Sequence, residues 1–583
     1  MAVADRPGSP QFPAIAGAIA PTSHEAIDAA IETLQQRKDA WLAVSVAERI
    51  ALVDRLITDN WVIADRWVAA CLKAKDIAPD SPMRGEEWAT GPYTLLLTLR
   101  QMRQSLVDIQ RTGKPKIPGT VTTRPDGQVV ARVFPQNGYD KLFYTGVTAD
   151  VWMQPGVTKD NLAENQAVIY SKKPASRVAL VLGAGNVSSI GPLDLLYKLL
   201  VEDQVVIFKS NPVNAYLGPL MEESFRALIE PGYLRIVHGG AEEGAYLCNH
   251  PDVDEIHITG SDKTFDAIVF GPGPEGAARK AANTPLLNKR ITGELGNVSP
   301  VIVVPGPWSA SDLDYQAAHL VSMLTNNAGF NCNATRVIIQ HAGWGKRDDL
   351  LRRMRAVLRT VPPRAAYYPG ARARQESFVA AHPDAELYGT PTAGDQLPWT
   401  LISGVNPANT DDICFTTEAF CSLFSETALE AASPAEFLDR AVAFANDSLW
   451  GTLNVTILIH PKTLKDPAVA AAYERAIASL RYGTVGVNYW AGTNFVLGVT
   501  TWGAFPGHPL NDIQSGNDVV HNSLMFARPQ KTVLHAPFRS TPIPPWFVTR
   551  ATAGAKVFPK LAAFEAHPSS AKVPGIVAAA LGM

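Results

Sequence analysis

The alternation of short apolar runs with longer amphipathic stretches constrains the fold of this chain more than any other feature. From Ser176 onward the apolar run RVALVL is followed by SSIGPLDLLYKLLVED, and then by QVVIFKS, AYLGPLMEESFRALIE, LRIVHG and DEIHITG. Short apolar runs predict buried strands, and apolar residues at three- and four-residue spacing predict the helices between them. Because strands joined by helical crossovers form parallel sheets covered on both faces, the sequence predicts an α/β unit here.

A second α/β unit begins at Leu295, and a helical part precedes both units. Residues 23–75 carry apolar side chains at helical spacing, as in Ile27, Ile31 and Leu34. After Leu295 the strands SPVIVV, TRVIIQ, TLNVTILIH and YGTVGVNY alternate with helical segments. At roughly 150 residues per domain, the 583 residues suffice for about two to four domains. We therefore expect one cofactor-binding domain and one domain that carries the chemistry.

Charge and cysteine content narrow the class of protein. Lys and Arg number 52 and Asp and Glu 55, with no long run of one sign, so neither nucleic acid nor an anionic membrane is indicated as a partner. No stretch approaches the roughly 20 apolar residues of a membrane helix, and residues 1–21 make a poor signal peptide. The five cysteines fit no disulfide or zinc spacing, which predicts reduced thiols in a soluble, cytoplasmic protein. They are Cys71, Cys248, Cys332, Cys414 and Cys421.

The first candidate for a ligand site is the turn in RVALVLGAGNVSSIG. Gly183 and Gly185 match two glycines of a dinucleotide-binding fingerprint, but Ser188 stands where the third is expected. The acidic residue that would hold a ribose at the end of the next strand is replaced by Lys209. Taken alone, these glycines indicate a tight turn as readily as a ligand site.

Three further stretches carry candidate functional residues, none of which indicates a function when it is taken alone. Glu294 lies in ITGELGNVSP, Glu418 and Phe420 lie in TTEAFCSLF, and Cys332 lies in the small polar loop NNAGFNCNATRVII. A single glutamate at the end of an element is most often solvated. A single free cysteine is most often a small buried hydrophobe, and we expect Cys414 and Cys421 to be packing residues of that kind.

The order and spacing of these motifs resemble the aldehyde dehydrogenase superfamily over roughly residues 25 to 535. Several local matches in one order are far more specific than any one of them. The matching residues are Asn186 in GAGN, Lys209 in FKSNP, Gly260 and Ser261 in HITGS, Glu294 in ELGN, Cys332 in GFNC, Glu418 and Phe420 in EAF, and Asn488 in GTVGVN.

The resemblance implies catalysis by a cysteine thiolate. Cys332 would attack the aldehyde carbonyl, and the amide of Asn186 and the backbone N–H of Cys332 would hold the resulting oxyanion. Transfer of hydride to a nicotinamide would leave a thioester on Cys332. Glu294 would then activate water to release a carboxylic acid. The substrate is a small-molecule aldehyde, and no metal is implied.

The cofactor implied by the resemblance is NAD or NADP. Lys209 would bind the adenine ribose, and Gly260 and Ser261 would lie near the pyrophosphate at a helix N-terminus. Glu418 would hold the nicotinamide ribose, with Phe420 against the ring. A glutamate that repels a 2′-phosphate in many NAD-preferring members is replaced by Pro212, so both cofactors stay open.

The expected fold class is α/β, with a Rossmann-like NAD(P)-binding domain, a second α/β catalytic domain and a small β-hairpin extension. In the family this hairpin pairs with the catalytic domain of a neighbouring subunit, so we expect a homodimer or homotetramer. The Pro- and Ala-rich tail is expected to be partly extended, and we assign it no role. The predicted parts are 1–125 with 160–290 for the N-terminal helices and NAD(P)-binding domain, 126–159 with 524–540 for the oligomerisation extension, 291–523 for the catalytic domain, and 541–583 for the tail.

Departures from the family pattern leave an alternative open. Ala184 and Gly185 replace a Pro-Trp pair, which suggests a roomier site beside Asn186, and Asn297 replaces the second glycine of ELGG. The GAGNV turn resembles the acyl-CoA and fatty acyl reductase branch, so a CoA-linked acylating enzyme is the main alternative. Branches that transfer the acyl group to CoA commonly lack the glutamate, and the presence of Glu294 therefore favours hydrolysis. A non-catalytic dinucleotide-binding relative is a further alternative, which the joint retention of the cysteine, glutamate and asparagine disfavours.

Overall fold

The computed structural model describes residues 19–172 and 174–583, so most of the segment that makes a poor signal peptide lies outside the described residues. None of the described helices combines the length and the apolar run that crossing a membrane requires. The α-helices are α1 His24–Ala43, α2 Val46–Ala74, α3 Arg84–Trp88, α4 Thr94–Thr112, α5 Gly138–Phe143, α6 Ile190–Leu200, α7 Gly218–Ser224, α8 Arg226–Ile229, α9 Ala241–Asn249, α10 Asp262–Phe270, α11 Gly273–Ala281, α12 Ala310–Thr325, α13 Arg347–Leu358, α14 Ala371–Ala381, α15 Ile413–Thr416, α16 Pro434–Ser448, α17 Pro467–Ser479, α18 Thr493–Leu497, α19 Ala551–Ala566 and α20 Val573–Leu581.

The strands fall into one five-stranded sheet, one eleven-stranded sheet and two short pairs. They are β1 Val121–Thr123, β2 Val129–Phe134, β3 Thr148–Met153, β4 Val178–Leu182, β5 Val205–Lys209, β6 Leu234–Val237, β7 Glu255–Gly260, β8 Arg290–Leu295, β9 Pro300–Val303, β10 Val337–His341, β11 Arg364–Ala365, β12 Glu386–Tyr388, β13 Gln396–Leu397, β14 Trp399–Val405, β15 Leu423–Leu429, β16 Asn454–Leu458, β17 Thr484–Val487, β18 Trp502–Gly503, β19 Val519–Val520 and β20 Pro529–His535.

The predicted N-terminal helices are present and begin at side-chain caps. The Ser23 hydroxyl accepts a hydrogen bond from the Ala26 N–H at the start of α1. At the start of α2 the Ser45 hydroxyl and the Glu48 carboxylate form a reciprocal capping box. Such caps satisfy N–H groups that the first helical turn leaves unpaired, so this part of the prediction is confirmed to within a residue or two.

The five-stranded sheet confirms the first predicted α/β unit. Its order is β6-β5-β4-β7-β8, and every neighbouring pair is parallel. The carboxyl ends of parallel strands meet at one edge, which brings Lys209, Gly260 and Glu294 to the same side of the sheet. Glu294 lies on the last strand of this sheet, which therefore extends past the boundary predicted at residue 290. That edge is where ligands bind in open α/β sheets.

The eleven-stranded sheet contains the second α/β unit. Its order is β1-β2-β3-β20-β17-β16-β9-β10-β15-β14-β12, and it is parallel from β20 to β14 and antiparallel at both ends. Cys332 lies in the loop between α12 and β10, at the amino end of neighbouring strand β9, where the Ser299 hydroxyl donates to its carbonyl.

The hairpin β2–β3 is present, and it pairs within its own chain. Strand β3 runs antiparallel to β20, and β20 runs parallel to β17, with Thr484 opposite Thr532. The position that the resemblance assigns to a neighbouring subunit is therefore filled by this chain's own late strand. Because the edge of β17 is already paired, the strand-edge argument for a homodimer or homotetramer loses its main support, and the oligomeric state stays a prediction.

The C-terminal tail, expected to be partly extended, lies outside any helix or strand over residues 541–547 and is helical over most of the rest. Helix α19 crosses α3 so closely that a Cβ placed on Gly85 would lie 2.6 Å from the Gly554 carbonyl carbon. Arg100 of α4 forms an ion pair with Glu565. The ring of Phe564 lies 5.0 Å from Tyr139 at the edge of the hairpin connection. The tail thus packs on the N-terminal helices and on the connection between β2 and β3.

Candidate active site

The three residues predicted to carry the chemistry come together from three separate elements. Asn186 follows β4, Glu294 lies on β8, and Cys332 lies in the loop before β10. The Asn186 side chain donates a hydrogen bond of 2.9 Å to the carbonyl of Phe330, two residues before Cys332. The Glu294 carboxyl faces the Cys332 thiol. The charge of Glu294 raises the pKa of the thiol, and the thiol in turn lowers the pKa of Glu294. The structure thus brings these three residues close together, and their catalytic roles stay a prediction.

The loop around Cys332, here the cysteine loop (residues 326–336), has an irregular backbone. Asn327 and Ala328 have φ values of 51° and 55°, a conformation that L-residues seldom adopt, and Gly329 follows at 84°. A Cβ on Gly329 would overlap the carbonyl of Cys421. Only glycine fits there, because the loop presses against the chain that precedes β15.

Several side chains hold the carbonyl groups of the cysteine loop. Arg336, which is buried, donates to the Gly329 carbonyl at 2.5 Å, and Asn186 holds the Phe330 carbonyl as described. The hydroxyl of Ser299 donates to the Cys332 carbonyl at 3.1 Å, and the Trp490 indole donates to the Asn333 carbonyl at 2.8 Å. With these groups fixed, the Cys332 thiol and backbone N–H have a set direction before any substrate binds.

Asn297, which departs from the family pattern, takes part in this support. Its side-chain N–H donates to the Asn454 carbonyl at 2.9 Å and to the Ser299 hydroxyl at 3.2 Å. Asn454 in turn donates to the Cys332 carbonyl at 3.4 Å. The asparagine that replaces the second glycine is therefore one link in the network behind Cys332.

A buried ion pair lies directly behind Asn186. The Lys75 ammonium is 2.8 Å from Glu87 and donates to the Asn327 side-chain oxygen at 3.0 Å. The Tyr367 hydroxyl donates to the Asn186 carbonyl at 2.9 Å. Burial alone would lower the pKa of Lys75, but the Glu87 carboxylate raises it above its ordinary value. These groups fix the backbone of the asparagine that faces Cys332.

Burial and neighbouring negative charges favour the neutral forms of the Cys332 thiol and the Glu294 carboxyl. Burial raises the pKa of the Cys332 thiol, and the charges of Glu294 and Glu418 raise it further. Burial raises the pKa of Glu294 to about 8, and the negative charge of Asp194 adds to the effect. Both carboxyl oxygens of Glu294 lack a hydrogen-bond partner among the described residues. A carboxyl with this pKa exchanges protons near neutral pH, which suits a general base.

The residues predicted to bind a dinucleotide line the carboxyl edge of the five-stranded sheet. The Lys209 ammonium donates to the Gly239 carbonyl at 2.6 Å, and burial lowers its pKa to about 8. Gly260 ends β7, and the exposed Ser261 caps α10 by accepting the Thr264 N–H at 3.2 Å. The exposed N-terminus of α10 is suited to a phosphate group.

Glu418 and Phe420 approach from the catalytic sheet. A Cβ on Gly296 would collide with the Glu418 carboxylate, so this close approach needs glycine two residues after Glu294. Burial raises the pKa of Glu418 to about 7, against the opposing charge of Arg336. Phe420, at a φ of 39°, lies 5.9 Å from the Phe330 ring. Both residues thus stand next to the cysteine loop.

The suggestion of extra room beside Asn186 is wrong at Gly185. A Cβ there would lie 2.6 Å from the Asn211 side-chain oxygen and 2.8 Å from Cβ of Val213. The space that the missing tryptophan would need is filled by the segment after β5. The small residue therefore permits close packing between two loops.

Sequence reasoning missed most of the supporting residues. Lys75 and Glu87 lie more than 90 residues before Asn186, with no local pattern to join them to it. Arg336 was also missed, although an arginine directly before the apolar strand β10 is itself a signal, because a buried charge must find partners. Tyr367 and Asn454 carried no such signal.

Comparison with known proteins agrees with this geometry. Residues 150–368 match the model of the aldehyde dehydrogenase family. The chain is 30% identical to an aminoacetaldehyde dehydrogenase of Pseudomonas aeruginosa over 245 residues, which are 40% of this chain and 44% of that protein. It is 28% identical to a betaine aldehyde dehydrogenase of Rhizobium leguminosarum over 313 residues, 52% of this chain and 56% of that protein. The chain thus spans about half the length of these curated relatives.

Solved structures resemble the whole fold. An NAD-dependent aldehyde dehydrogenase from Sinorhizobium meliloti has a TM-score of 0.61 at 18% identity and covers 92% of both chains. An NADP-dependent glyceraldehyde-3-phosphate dehydrogenase from Bacillus halodurans, complexed with NADP, has a TM-score of 0.59 at 17% identity and covers 88% of this chain and 92% of its own. At this identity the likeness concerns the fold. The family match over residues 150–368, the partial matches to curated relatives and the likeness in fold all point the same way, and this chain is similar to the aldehyde dehydrogenases.

Proposed function

We propose that this protein oxidises an aldehyde to a carboxylic acid with NAD or NADP, through a covalent intermediate on Cys332. The observation that supports this most is the grouping of three side chains: a fixed thiol, a buried carboxyl with a pKa of about 8, and an amide that reaches the cysteine loop. These are the nucleophile, the base and the oxyanion donor that acyl chemistry on a cysteine requires.

The first step is attack of Cys332 on the aldehyde carbonyl. The thiol proton passes to an ionised Glu294, and the sulfur forms a bond to the carbonyl carbon. Asn186 uses one N–H on the Phe330 carbonyl, and its second N–H is available to the oxyanion together with the backbone N–H of Cys332. Loss of one such donor typically costs on the order of 100-fold or more in rate.

The candidate cofactor residues fit a nicotinamide dinucleotide. Lys209 and the N-terminus of α10 supply positive charge at the sheet edge, and Glu418 has a buried carboxylate oxygen without a partner among the described residues. Bound there, a nicotinamide dinucleotide would supply the hydride acceptor for the oxidation, and Cys332 would hold the carbon that gives up the hydride. Pro212 stands three residues after Lys209, where a glutamate would repel the 2′-phosphate of NADP. NADP is therefore accommodated as well as NAD.

Hydrolysis of the thioester falls to Glu294, which first loses the thiol proton to solvent and then takes a proton from water as the water attacks the acyl carbon; the C–S bond breaks, and the acid and the Cys332 thiolate are released. A CoA-acylating reaction is the second candidate, supported only by the GAGNV turn. Steady-state assays with and without CoA separate the two reactions: acid release independent of CoA supports hydrolysis, and absolute dependence on CoA overturns it.

The direct test follows formation of reduced cofactor with a panel of aldehydes. Aminoacetaldehyde and betaine aldehyde belong in that panel because relatives carry those names. Cys332→Ala is expected to abolish turnover, and Cys248→Ala, which removes another thiol, is the matched control. Unchanged NAD(P)-linked turnover in Cys332→Ala would remove the assignment of the nucleophile.

Two further proposals concern the setting of the reaction. All five cysteines are free thiols, which suits the reducing cytoplasm. We retain a homodimer or homotetramer as a prediction, with an interface other than the edge of β17. Light scattering coupled to size-exclusion chromatography measures the mass, and a monomer at micromolar concentration would contradict this prediction.

A further inference from the structure

A cluster of three potential metal ligands lies outside the candidate active site, where α14 meets α15. His382 directly follows α14, Asp412 is the N-cap of α15, and Cys414 lies in the first turn of α15. The His382 Nε2 atom is 3.0 Å from Asp412 Oδ1 and 3.6 Å from Cys414 Sγ. The three donor atoms lie within 4.8 Å of one another. We call this group the His–Asp–Cys cluster.

The geometry of the cluster differs from that of a cysteine–histidine–aspartate proton relay. In a relay the thiol contacts one ring nitrogen, and the carboxylate orients the ring through the other. Here the Asp412 carboxylate and the Cys414 thiol both face Nε2 of His382. Three donor atoms that converge on one point, with no chain of hydrogen bonds through the ring, are arranged as ligands around an ion.

We propose that His382, Asp412 and Cys414 bind a zinc ion. Imidazole nitrogen, thiolate sulfur and carboxylate oxygen are the ligands that Zn²⁺ prefers, at about 2.0 to 2.3 Å in a tetrahedron. Donor atoms in such a tetrahedron lie roughly 3.2 to 3.7 Å apart. The two distances to Nε2, 3.0 and 3.6 Å, need shifts of only a few tenths of an ångström at most to meet this range.

The local fold holds these ligands in place without an ion. The Asp412 carboxylate accepts the Cys414 N–H at 2.9 Å, which fixes the two ligands of α15 relative to each other. The Asn409 side chain donates to the other carboxylate oxygen of Asp412 at 3.4 Å. The backbone N–H of His382 is bonded to the Phe378 carbonyl, so this ligand is tied to the end of α14. Prior fixing of this kind reduces the entropy cost of binding.

Partial exposure leaves a fourth position for solvent. The side chains of His382 and Asp412 are 20% and 11% exposed, whereas Cys414 is buried. Burial, with a further contribution from Asp412, raises the pKa of Cys414, so the thiol is protonated in the metal-free protein. Zinc coordinates the thiolate, so binding releases the thiol proton. In the metal-free chain, α14 and α15 are connected here by the contacts of His382 with Asp412 and Cys414. A bound ion would link the two helices through all three side chains.

The test uses the full chain in a Cys332→Ser background, so that the candidate nucleophile does not take up metal. Metal-free protein is titrated with Co²⁺, and a thiolate-to-cobalt charge-transfer band in the near ultraviolet reports sulfur ligation. Zn²⁺ should displace cobalt and remove the band at one equivalent. Isothermal titration with Zn²⁺ in buffers of different ionisation enthalpy should show release of about one proton per ion.

Three variants and two controls make the assignment specific. Cys414→Ser should remove the band, and His382→Ala should weaken Zn²⁺ binding by about 10-fold or more. Asp412→Asn keeps a good helix N-cap while removing the anionic ligand, so it should fold normally and bind more weakly. Cys421→Ser and His508→Ala remove a thiol and an imidazole elsewhere and should bind like the background protein. If no charge-transfer band forms, or if it persists in Cys414→Ser, the cluster is a packing contact and the proposal is overturned.

Discussion

Glu294 is a carboxyl that the fold buries to 2% exposure without a hydrogen-bond partner among the described residues. Its replacement by glutamine tests whether burying this carboxyl lowers the free energy of unfolding of the protein. Burial raises its pKa from 4.5 to about 8, so between these values the folded protein binds a proton that the unfolded chain does not. Stability therefore falls as the pH rises through this interval.

The size of the effect follows from the two pKa values. Each pKa unit corresponds to about 1.4 kcal/mol, so an ionised Glu294 costs the folded state at most about 5 kcal/mol above pH 8. Glutamine has nearly the same shape and carries no charge. Glu294→Gln should therefore lie within about 1 kcal/mol of the wild type near pH 5 and be more stable by up to about 5 kcal/mol near pH 8.5.

Catalysis should change in the opposite direction. The ionised fraction of Glu294 is about 1% at pH 6 and about 50% at pH 8, so base-limited turnover of the wild type should rise roughly 50-fold between them. Glu294→Gln should lose that rise and show a low rate of reduced-cofactor formation that does not change with pH, because neither the Cys332 thiol nor the attacking water then has a carboxylate to take its proton.

Urea unfolding at several pH values provides the stability measurement, with Glu426→Gln as the matched control. Glu426 is equally buried, but Arg347 donates to it at 2.8 and 3.0 Å. Glutamine there leaves an arginine without its partner and should destabilise the protein. A Glu294→Gln protein that is no more stable than the wild type at pH 8.5, or that differs from it equally at pH 5, would refute the burial argument.

Three further changes test the neighbouring groups. Asn186→Ala should lower kcat by about 100-fold or more because it removes an oxyanion donor, while the KM for the cofactor measured in the same assay stays unchanged. Lys209 is charged below its pKa of about 8, so the KM for the cofactor should rise as the pH passes 8, and this dependence should vanish in Lys209→Ala. Lys75→Met leaves Glu87 buried and unpaired and should cost about 3–5 kcal/mol in urea unfolding, whereas adding Glu87→Leu should restore much of that loss.

The α/β class and the candidate nucleophile were open to prediction because both leave local signals. Strands such as β4 and β5 are short, nearly continuous apolar runs, and Cys332 lies in a motif whose neighbours are fixed along the chain. The environment of Asn186 could not be predicted from the sequence, because Lys75, which donates to its carbonyl, lies 111 residues away along the chain. Contacts of that length depend on the whole packing and leave no periodicity in the sequence.

The tail shows how tertiary packing overrides a local preference. Pro559 lies inside α19, where it removes a backbone donor and disfavours a helix, and the extended expectation followed from such residues. Ala553, Gly554 and Phe558 are nonetheless buried, with small residues at the crossing with α3. The apolar area buried there outweighs the cost of one proline, a balance that a sequence window does not contain.

The in-chain pairing of β3 with β20 has a consequence for biosynthesis. Gln154, at the end of β3, donates to the Pro529 carbonyl of β20, 375 residues later. At translation rates of about 5–20 residues per second, the hairpin waits on the order of 20 to 75 s for its partner strand. During that time the edge of β3 is open to pairing with other nascent chains. Newly made chains should therefore depend strongly on chaperones, and truncation before β20 should yield aggregates even though the candidate active site is already encoded.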